Sequence, residues 1–307
     1  MSLPREHLEY RHRRHGMDHD RYAWSILPRR KAIEWPNNAR IALWIVPALE
    51  WFPLDMKGKP FRVPGGMVTA YPDLRHYTSR DYGNRVGIFR LMKAVAQRGL
   101  VASAAVNGAV AARYPSLLEK VEKLGWEVVA HGRDMDGLHY GGLSNDAEAE
   151  LVATTLRQLR AATGTPIRGW LSPARSESFA TPDIVAAAGL SYLCDWANDD
   201  MPYAMRSASG TLYCMPHSPD IDDSAILVQN HHGEEEFRQQ VIDQFDWLYD
   251  EAGRFGGRLM AVSLHPWIIG QPYRIGALEK ALDHMLRRGS VWCATGSDIL
   301  DAWIARQ

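Results

Sequence analysis

Residues 124–132 read Leu-Gly-Trp-Glu-Val-Val-Ala-His-Gly, and the reading of this stretch decides the architecture. A glycine closes a helical segment, an apolar run follows at once, and an ionisable side chain, His131, stands where the run stops. Glycine suits the position after a helix because it accepts a positive φ. A short, β-branched-rich run with no polar alternation suits a strand buried on both faces, as in a parallel sheet.

Working outward, the same unit recurs at Gly99 before LVASAAV and at Gly164 before TPIRGWL. It recurs again at Gly189 before LSYLCDW, Gly257 before RLMAVSL and Gly289 before SVWCAT. A further apolar run at Arg40–Pro47 begins the series. The segments between read as helices. GNRVGIFRLMKAVAQR carries apolar residues at helical spacing, and Asn145 and Glu148 have capping-box spacing ahead of a second helix. Thr181-Pro182-Asp183 reads as a helix start, and EEEFRQQVIDQFDWLYDEAG as an amphipathic helix with an acidic first turn. Strands alternating with helices predict an α/β domain with a parallel sheet and right-handed crossovers. Seven or eight such units in about 265 residues favour a (β/α) barrel over an open doubly wound sheet.

Composition sets the boundaries. The chain has 307 residues, 46% hydrophobic and 23% charged, the balance of a globular protein with a real core. The net charge is −1, which gives no footprint for nucleic acid. No apolar run approaches the ~18 residues of a membrane helix. Three cysteines without a C-x-x-C indicate neither a disulfide scaffold nor a zinc ribbon. The opening Met-Ser-Leu-Pro-Arg-Glu-His lacks an apolar core, so a cytoplasmic location is expected. Residues 1–40 hold nine Arg/Lys against five Asp/Glu, and the remainder holds 26 against 31. The expected organisation is therefore a basic leader, 1–40, ahead of one catalytic domain, 41–307. The leader could dock on this body, on a neighbouring subunit, or stay solvated.

Active sites of parallel α/β folds lie at the carboxyl ends of the strands. Filtering for polar residues just after predicted strands selects Glu50, His131 and His265 as catalytic candidates. Asn107, Ser172, Arg175, Asp195, Asn198, Asp199 and Asp200 follow strands too. His231 and His232 follow AILVQ, read as one more strand, and join Arg175, Asp195, Asn198 and Asp199 as substrate-binding candidates. His12, His15 and His19 fall in the leader and read as surface; His284 sits mid-helix and reads as structural. His76 and His217 stay open.

With these residues in view, the chain resembles the polysaccharide deacetylase (NodB-homology) superfamily, and within it the cofactor-independent allantoinase and cyclic-imide hydrolase branch. The matching stretches run almost end to end: WPNNARIALWIVPALEW, RDYGNRVGIFRLM, WEVVAHG, GWLSPARSESFATPDIVAAAGLSYLCDWANDDMPY, ILVQNHHGEEEF, SLHPWIIGQPYRIGALEKALDHM and VWCATGSDI. The resemblance implies an irregular, seven-stranded, TIM-like (β/α) barrel. It also implies a hydrolase of non-peptide carbon–nitrogen bonds. Metal-dependent sugar deacetylases of the family carry an Asp-Asp first motif, where this chain reads Pro47-Ala48-Leu49-Glu50. Their second motif has two histidines four apart; here His131 is followed at that distance by Met135. Their third motif has Arg two residues before Pro; here Leu171 precedes Pro173 and Arg175 follows. The last motif keeps its histidine as His265. The allantoinase-like branch shares this pattern, with Glu in the first motif and no second metal histidine.

Amide or imide hydrolysis needs an activated water, an oxyanion partner and a proton for the leaving nitrogen. Glu50 and His265 can divide base and acid roles, and His131 can bind a substrate oxygen or a metal. Glu50 and His131 alone make a thin site for one divalent, zinc-like ion, which needs a third ligand from Asp134, His139, His231 or His232. The cofactor expectation is thus none or one such metal. The leading expectation is ring opening of a small cyclic amide, imide or ureide. The alternatives are a metal-dependent N-acetyl-sugar deacetylase and a non-catalytic binding protein with a relic site. The expected partner is a small-molecule substrate, with no nucleic acid, no membrane and a homo-oligomeric assembly.

Overall fold

In the computed structural model the described residues are 19–58, 61–62 and 67–307. His12, His15 and the first 18 residues of the basic leader lie outside them.

The fold is organised around β1 (Ile41–Leu49), whose nine residues are all buried. Along one edge it pairs in parallel with β10 (Arg258–Leu264) from Ile41 to Pro47. Two strands share its other edge. β11 (Val291–Cys293) pairs with Ile41–Leu43, and β4 (Ser103–Val106) takes over at Ala48 and Leu49. From β4 the parallel series continues through β5 (Glu127–Ala130), β6 (Gly169–Trp170), β7 (Tyr192–Leu193) and β9 (Gly210–Cys214). An antiparallel β8 (Tyr203–Ser207) ends the sheet on β9. The chain after β9 returns to β10 through a parallel bridge between Asp222 and Ser263. The sheet therefore curls into a barrel whose last gap is spanned by irregular chain, as expected of an irregular α/β barrel. A separate small hairpin joins β2 (Phe61–Arg62) and β3 (Val68–Thr69).

Period-2 alternation sends the side chains of β1 into two cores. Ile41, Leu43, Ile45 and Leu49 pack under the helices. Ala42, Trp44 and Val46 fill the barrel interior with Val129, Leu171, Tyr192 and Ile299. Trp44, fully buried, donates its indole N–H to Ser103 Oγ at 2.8 Å. The burial of such a side chain, with its polar atom satisfied, is worth about 1.5–3 kcal/mol. The helical layer includes α1 (Leu74–Tyr82), which passes through a π-helical turn at Gly83–Gly87 into α2 (Ile88–Ala96), and then α3 (Gly108–Arg113) and α4 (Pro115–Lys123). A Cβ on Gly87 would lie 2.0 Å from the Pro266 carbonyl oxygen, so glycine lets this turn abut the segment after β10.

Three local expectations are corrected. AILVQ is not a strand; Ser224–Gln229 is a π-helical turn, its start fixed by Ile226 N–H donating to the Asp222 carbonyl. The helix α5 (Asn145–Ala162) is capped by Ser144, whose Oγ accepts from Ala147 N–H; Glu148 is instead buried against His139, Ser178 and Thr181. The β8–β9 hairpin was not expected, because its half-exposed strands lack the glycine-then-apolar signature. The described part of the leader lies on the chain's own body. Trp35 is buried and donates to the Arg258 carbonyl at 2.9 Å, while Arg21 pairs with Asp183 and Arg30 with Asp199.

Candidate active site

The inward face of each strand, followed one step past its end, reaches the same cleft. On β1 the inward series Trp44, Val46, Ala48 arrives at Glu50. On β10 Leu259, Ala261 and Ser263 arrive at His265, and on β5 Val129 arrives at His131. Parity alone thus aims these three polar side chains together. The cleft has a volume of about 410 Å³ and is lined by Glu50, His131, His265, Arg80, Arg175 and Trp267 with apolar neighbours. That is within the ~300–1,000 Å³ of small-molecule sites.

The geometry is convergent. Nε2 of His131 and Nε2 of His265 each lie 3.7 Å from Oε1 of Glu50. The indole N–H of Trp267 is 3.3 Å from Oε2 of Glu50, and Asn84 donates to the Glu50 carbonyl at 2.8 Å. His131 Nδ1 is 2.8 Å from the Leu171 carbonyl oxygen. A carbonyl only accepts, so Nδ1 carries a hydrogen, and Nε2 is the ring nitrogen turned to Glu50. His265 Nδ1 is 2.6 Å from Asp223 Oδ1, and the same carboxylate accepts the His265 backbone N–H. Arg175 Nη2 lies 3.2 Å from both Asp222 Oδ2 and Ser263 Oγ.

These contacts set the charges. Burial pushes the Glu50 carboxyl up, but the charge of His265, with the indole N–H of Trp267, holds it below its ordinary value. Burial pulls His265 down, but Glu50 and Asp223 outweigh it and lift the imidazole to about 10. Asp223 is raised to about 6 by burial and by Asp222, against the pull of His265. Near neutral pH the cleft therefore sets a carboxylate base beside an imidazolium acid.

The structure brings Glu50, His131, His265 and Arg175 together. It does not bring the other candidates there. Asp195 is buried at the end of β7, where Oδ1 accepts Ser172 N–H at 2.7 Å. Asn198 accepts from Tyr203, Asp199 pairs with Arg30, and both line a different cavity. His231 and His232 are exposed, because the turn that replaces the expected strand carries them away from the cleft; His232 contacts Gln240. His217 is buried below the cleft on Ser263 Oγ, and His76 contacts the Pro53 carbonyl. Asp222, Asp223, Arg80 and Trp267 were missed. The two aspartates end the irregular segment after β9, beyond the reach of a filter built on strand ends. Their sequence signal is the adjacent acidic pair in SPDIDDSAI.

The donors do not make the metal site of the sugar deacetylases. Asp134 is occupied by Arg133 and by the N–H groups of Asp136 and Gly137. His139 is buried on Glu148, and His231 and His232 are outside. Met135, a soft thioether, lines the cleft where a second histidine is needed. Among the described residues, Asp222, Asp223 and His265 have ligand atoms within 4.8 Å of one another, but these are engaged with each other and with Arg175. Catalytic zinc takes three free protein ligands; the deacetylase position keeps only Glu50 and His131, and the atoms of the Asp222, Asp223 and His265 set are already engaged, so neither set fits it.

The chain is similar to known proteins over most of its length. Residues 75–193 match the family model described as polysaccharide deacetylase. A Schizosaccharomyces pombe protein named "Putative polysaccharide deacetylase" is 24% identical over 302 residues, covering 89% of this chain and 92% of its own. Puue Allantoinase superposes with a TM-score of 0.79 at 24% identity, covering 88% of this chain and 92% of that one. A "probable Polysaccharide deacetylase" from Pseudomonas aeruginosa PAO1 superposes with a TM-score of 0.78 at 25% identity, covering 88% and 93%.

Proposed function

Since residues 75–193 match the polysaccharide deacetylase family model, we propose that this chain is a hydrolase that opens a small cyclic amide, imide or ureide by acid–base catalysis at Glu50 and His265. The observation that carries this reading is the convergence of two imidazole Nε2 atoms, 3.7 Å each, on one oxygen of Glu50 in a cleft whose donors do not fit a catalytic zinc. A cyclic imide or ureide carbonyl is more electrophilic than an acetamide, which suits a site without that Lewis acid. The likeness to an allantoinase supports the same substrate class.

In this reading the lone pair of His131 Nε2 and Oε1 of Glu50, facing each other, suit a water that donates to both. His131 is then an acceptor that orients the nucleophile, rather than a donor to a substrate oxygen. Glu50 takes the proton as the water oxygen bonds to the ring carbonyl carbon. His265 gives its Nε2 proton to the ring nitrogen as the carbon–nitrogen bond breaks. The product is a carboxylic acid with a freed amide or ureide N–H, and the acid releases one proton to solvent. Arg80, whose guanidinium stacks over Phe52 at 4.4 Å and Trp267 at 4.9 Å, and Arg175 supply the donors for ring oxygens. Positioned acid–base groups of this kind contribute about 10²–10⁴ in rate. The test is proton release from hydantoin, dihydrouracil, succinimide and allantoin, set against acetate release from chito-oligosaccharides.

A further inference from the structure

The turn that follows β6 is strained, and it touches the cleft twice. Ala174 and Arg175 hold φ of 54° and 53°, the left-handed region that non-glycine residues avoid. From this turn the Leu171 carbonyl fixes the ring of His131 at 2.8 Å, and the Arg175 side chain reaches Asp222 and Ser263. A backbone in this conformation persists only where its surroundings over-determine it.

The clamp is a pair of carboxyl groups, Asp195 buried and Glu177 half-buried with its Oε1 out of solvent. Asp195 Oδ1 accepts Ser172 N–H at 2.7 Å, at one end of the turn. Glu177, at the other end, accepts the Trp196 indole N–H on Oε2. The remaining oxygens, Asp195 Oδ2 and Glu177 Oε1, are buried without a hydrogen-bond donor, and the two carboxyl groups are close enough to shift one another's protonation. Two carboxyl oxygens bond only by sharing a proton. Burial and the charge of Glu148 favour the protonated pair, while the hydrogen bonds from Trp196 and Ser172 and the nearby His139 oppose it. Besides Trp196 and Ser172, the groups that face it are His139 from the loop after β5, Glu148 of α5, Cys194 after β7 and Cys214 of β9.

We propose that Glu177 and Asp195 are positioning residues: sharing one proton, they hold the strained turn so that Leu171 aims His131 and Arg175 reaches Asp222. For its effect on rate the inference rests on the acid–base reading of the cleft; the geometry that it explains does not. Loss of the shared proton leaves two carboxylates side by side, and their repulsion opens the clamp. Burial, with the charge of Asp195, lifts Glu177 to about 9, so opening belongs on the alkaline side. The sign follows. A carboxyl raised from 4.5 to about 9 contributes stability below pH 4.5 that is lost as pH rises to about 9 and changes no further above it.

The test uses Glu177→Gln, which keeps a donor and cannot ionise, and Glu177→Ala, which removes it. Two quantities are read: the pH profile of ring opening, and the solvent exchange of the His131 Nδ1–H by NMR, its ring assigned with His131→Asn. In the native protein, exchange should accelerate beyond ordinary base catalysis as pH passes about 9, and E177Q should abolish that excess. E177Q should keep neutral-pH activity and lose the rate limb near 9, leaving the His265 limb near 10. E177A should lower kcat by about tenfold or more with little change in KM, and speed the exchange by a similar factor. Native excess exchange persisting in E177Q, or E177A indistinguishable from the native protein in both readouts, overturns the proposal. If the native protein opens no cyclic amide, the proposed function fails, while the exchange measurement still decides the clamp.

Discussion

His265 and Asp223 form the tightest pairing in the cleft: Nδ1 lies 2.6 Å from Oδ1, and the same carboxylate receives the backbone N–H of His265. One buried aspartate therefore fixes both the ring and the strand end that carries it. It also leaves Nε2, with its proton, directed towards Glu50 at 3.7 Å.

Asp223→Asn keeps an acceptor at Oδ1 but removes the charge. The imidazolium then loses one of the three carboxylates, Glu50, Asp223 and Asp222, that lift it to about 10, so the alkaline limb of the rate should move to lower pH. Stability follows the same sign. A histidine raised from 6.5 to about 10 contributes stability that is full below pH 6.5 and lost as pH rises through 10. Thermal melting of D223N between pH 6.5 and 10 should fall less steeply than that of the native protein.

Metal dependence is a second point of contact with experiment. With Met135 in the cleft in place of a second histidine, activity should survive dialysis against a chelator and gain nothing from added Zn²⁺. Met135→His should create tight Zn²⁺ binding beside Glu50 and His131, seen by calorimetry, and make the variant sensitive to chelator.

The exposed pair His231 and His232 separates position in the sequence from position in space. Both are exposed and outside the cleft, so the double alanine variant should retain kcat/KM within about twofold, since surface changes away from a site are nearly neutral. A loss approaching that of Glu50→Gln in the same assay would return them to the site.

Ser144 is a stability prediction independent of the chemistry. Its hydroxyl caps α5, so Ser144→Ala should cost about 1 kcal/mol in denaturant unfolding and leave kinetics unchanged. Asn145→Ala, one residue inside the helix, should cost less.

Much of the barrel is legible in the sequence because its strands are buried on both faces. Such strands show as apolar runs, after a glycine at β4, β5 and β10 and without one at β1. The catalytic candidates follow from strand ends and, more sharply, from parity: residues 44, 46, 48 and 50 point inward in turn, as do 259, 261, 263 and 265. What escaped reading lies where no periodicity operates. Asp222 and Asp223 end an irregular segment that closes the barrel by a single bridge. SAILVQ is as apolar as a strand, yet the hydrogen bond that Ile226 N–H donates to the Asp222 carbonyl winds it into a turn and moves His231 and His232 outward. Asn198, Asp199 and Asp195 do follow β7, but the strand is two residues long and the chain leaves the barrel mouth at once. Asp195 stays buried as a support, and Asp199 pairs with Arg30 of the leader.

The most direct test of the central claim is pH-stat titration of the native protein and Glu50→Gln with a panel of hydantoin, dihydrouracil, succinimide and allantoin at neutral pH. One proton released per ring opened by the native protein, reduced about 10²–10⁴-fold in E50Q with folding intact, is the predicted result. No release from any of the four, or equal release by E50Q, would contradict it.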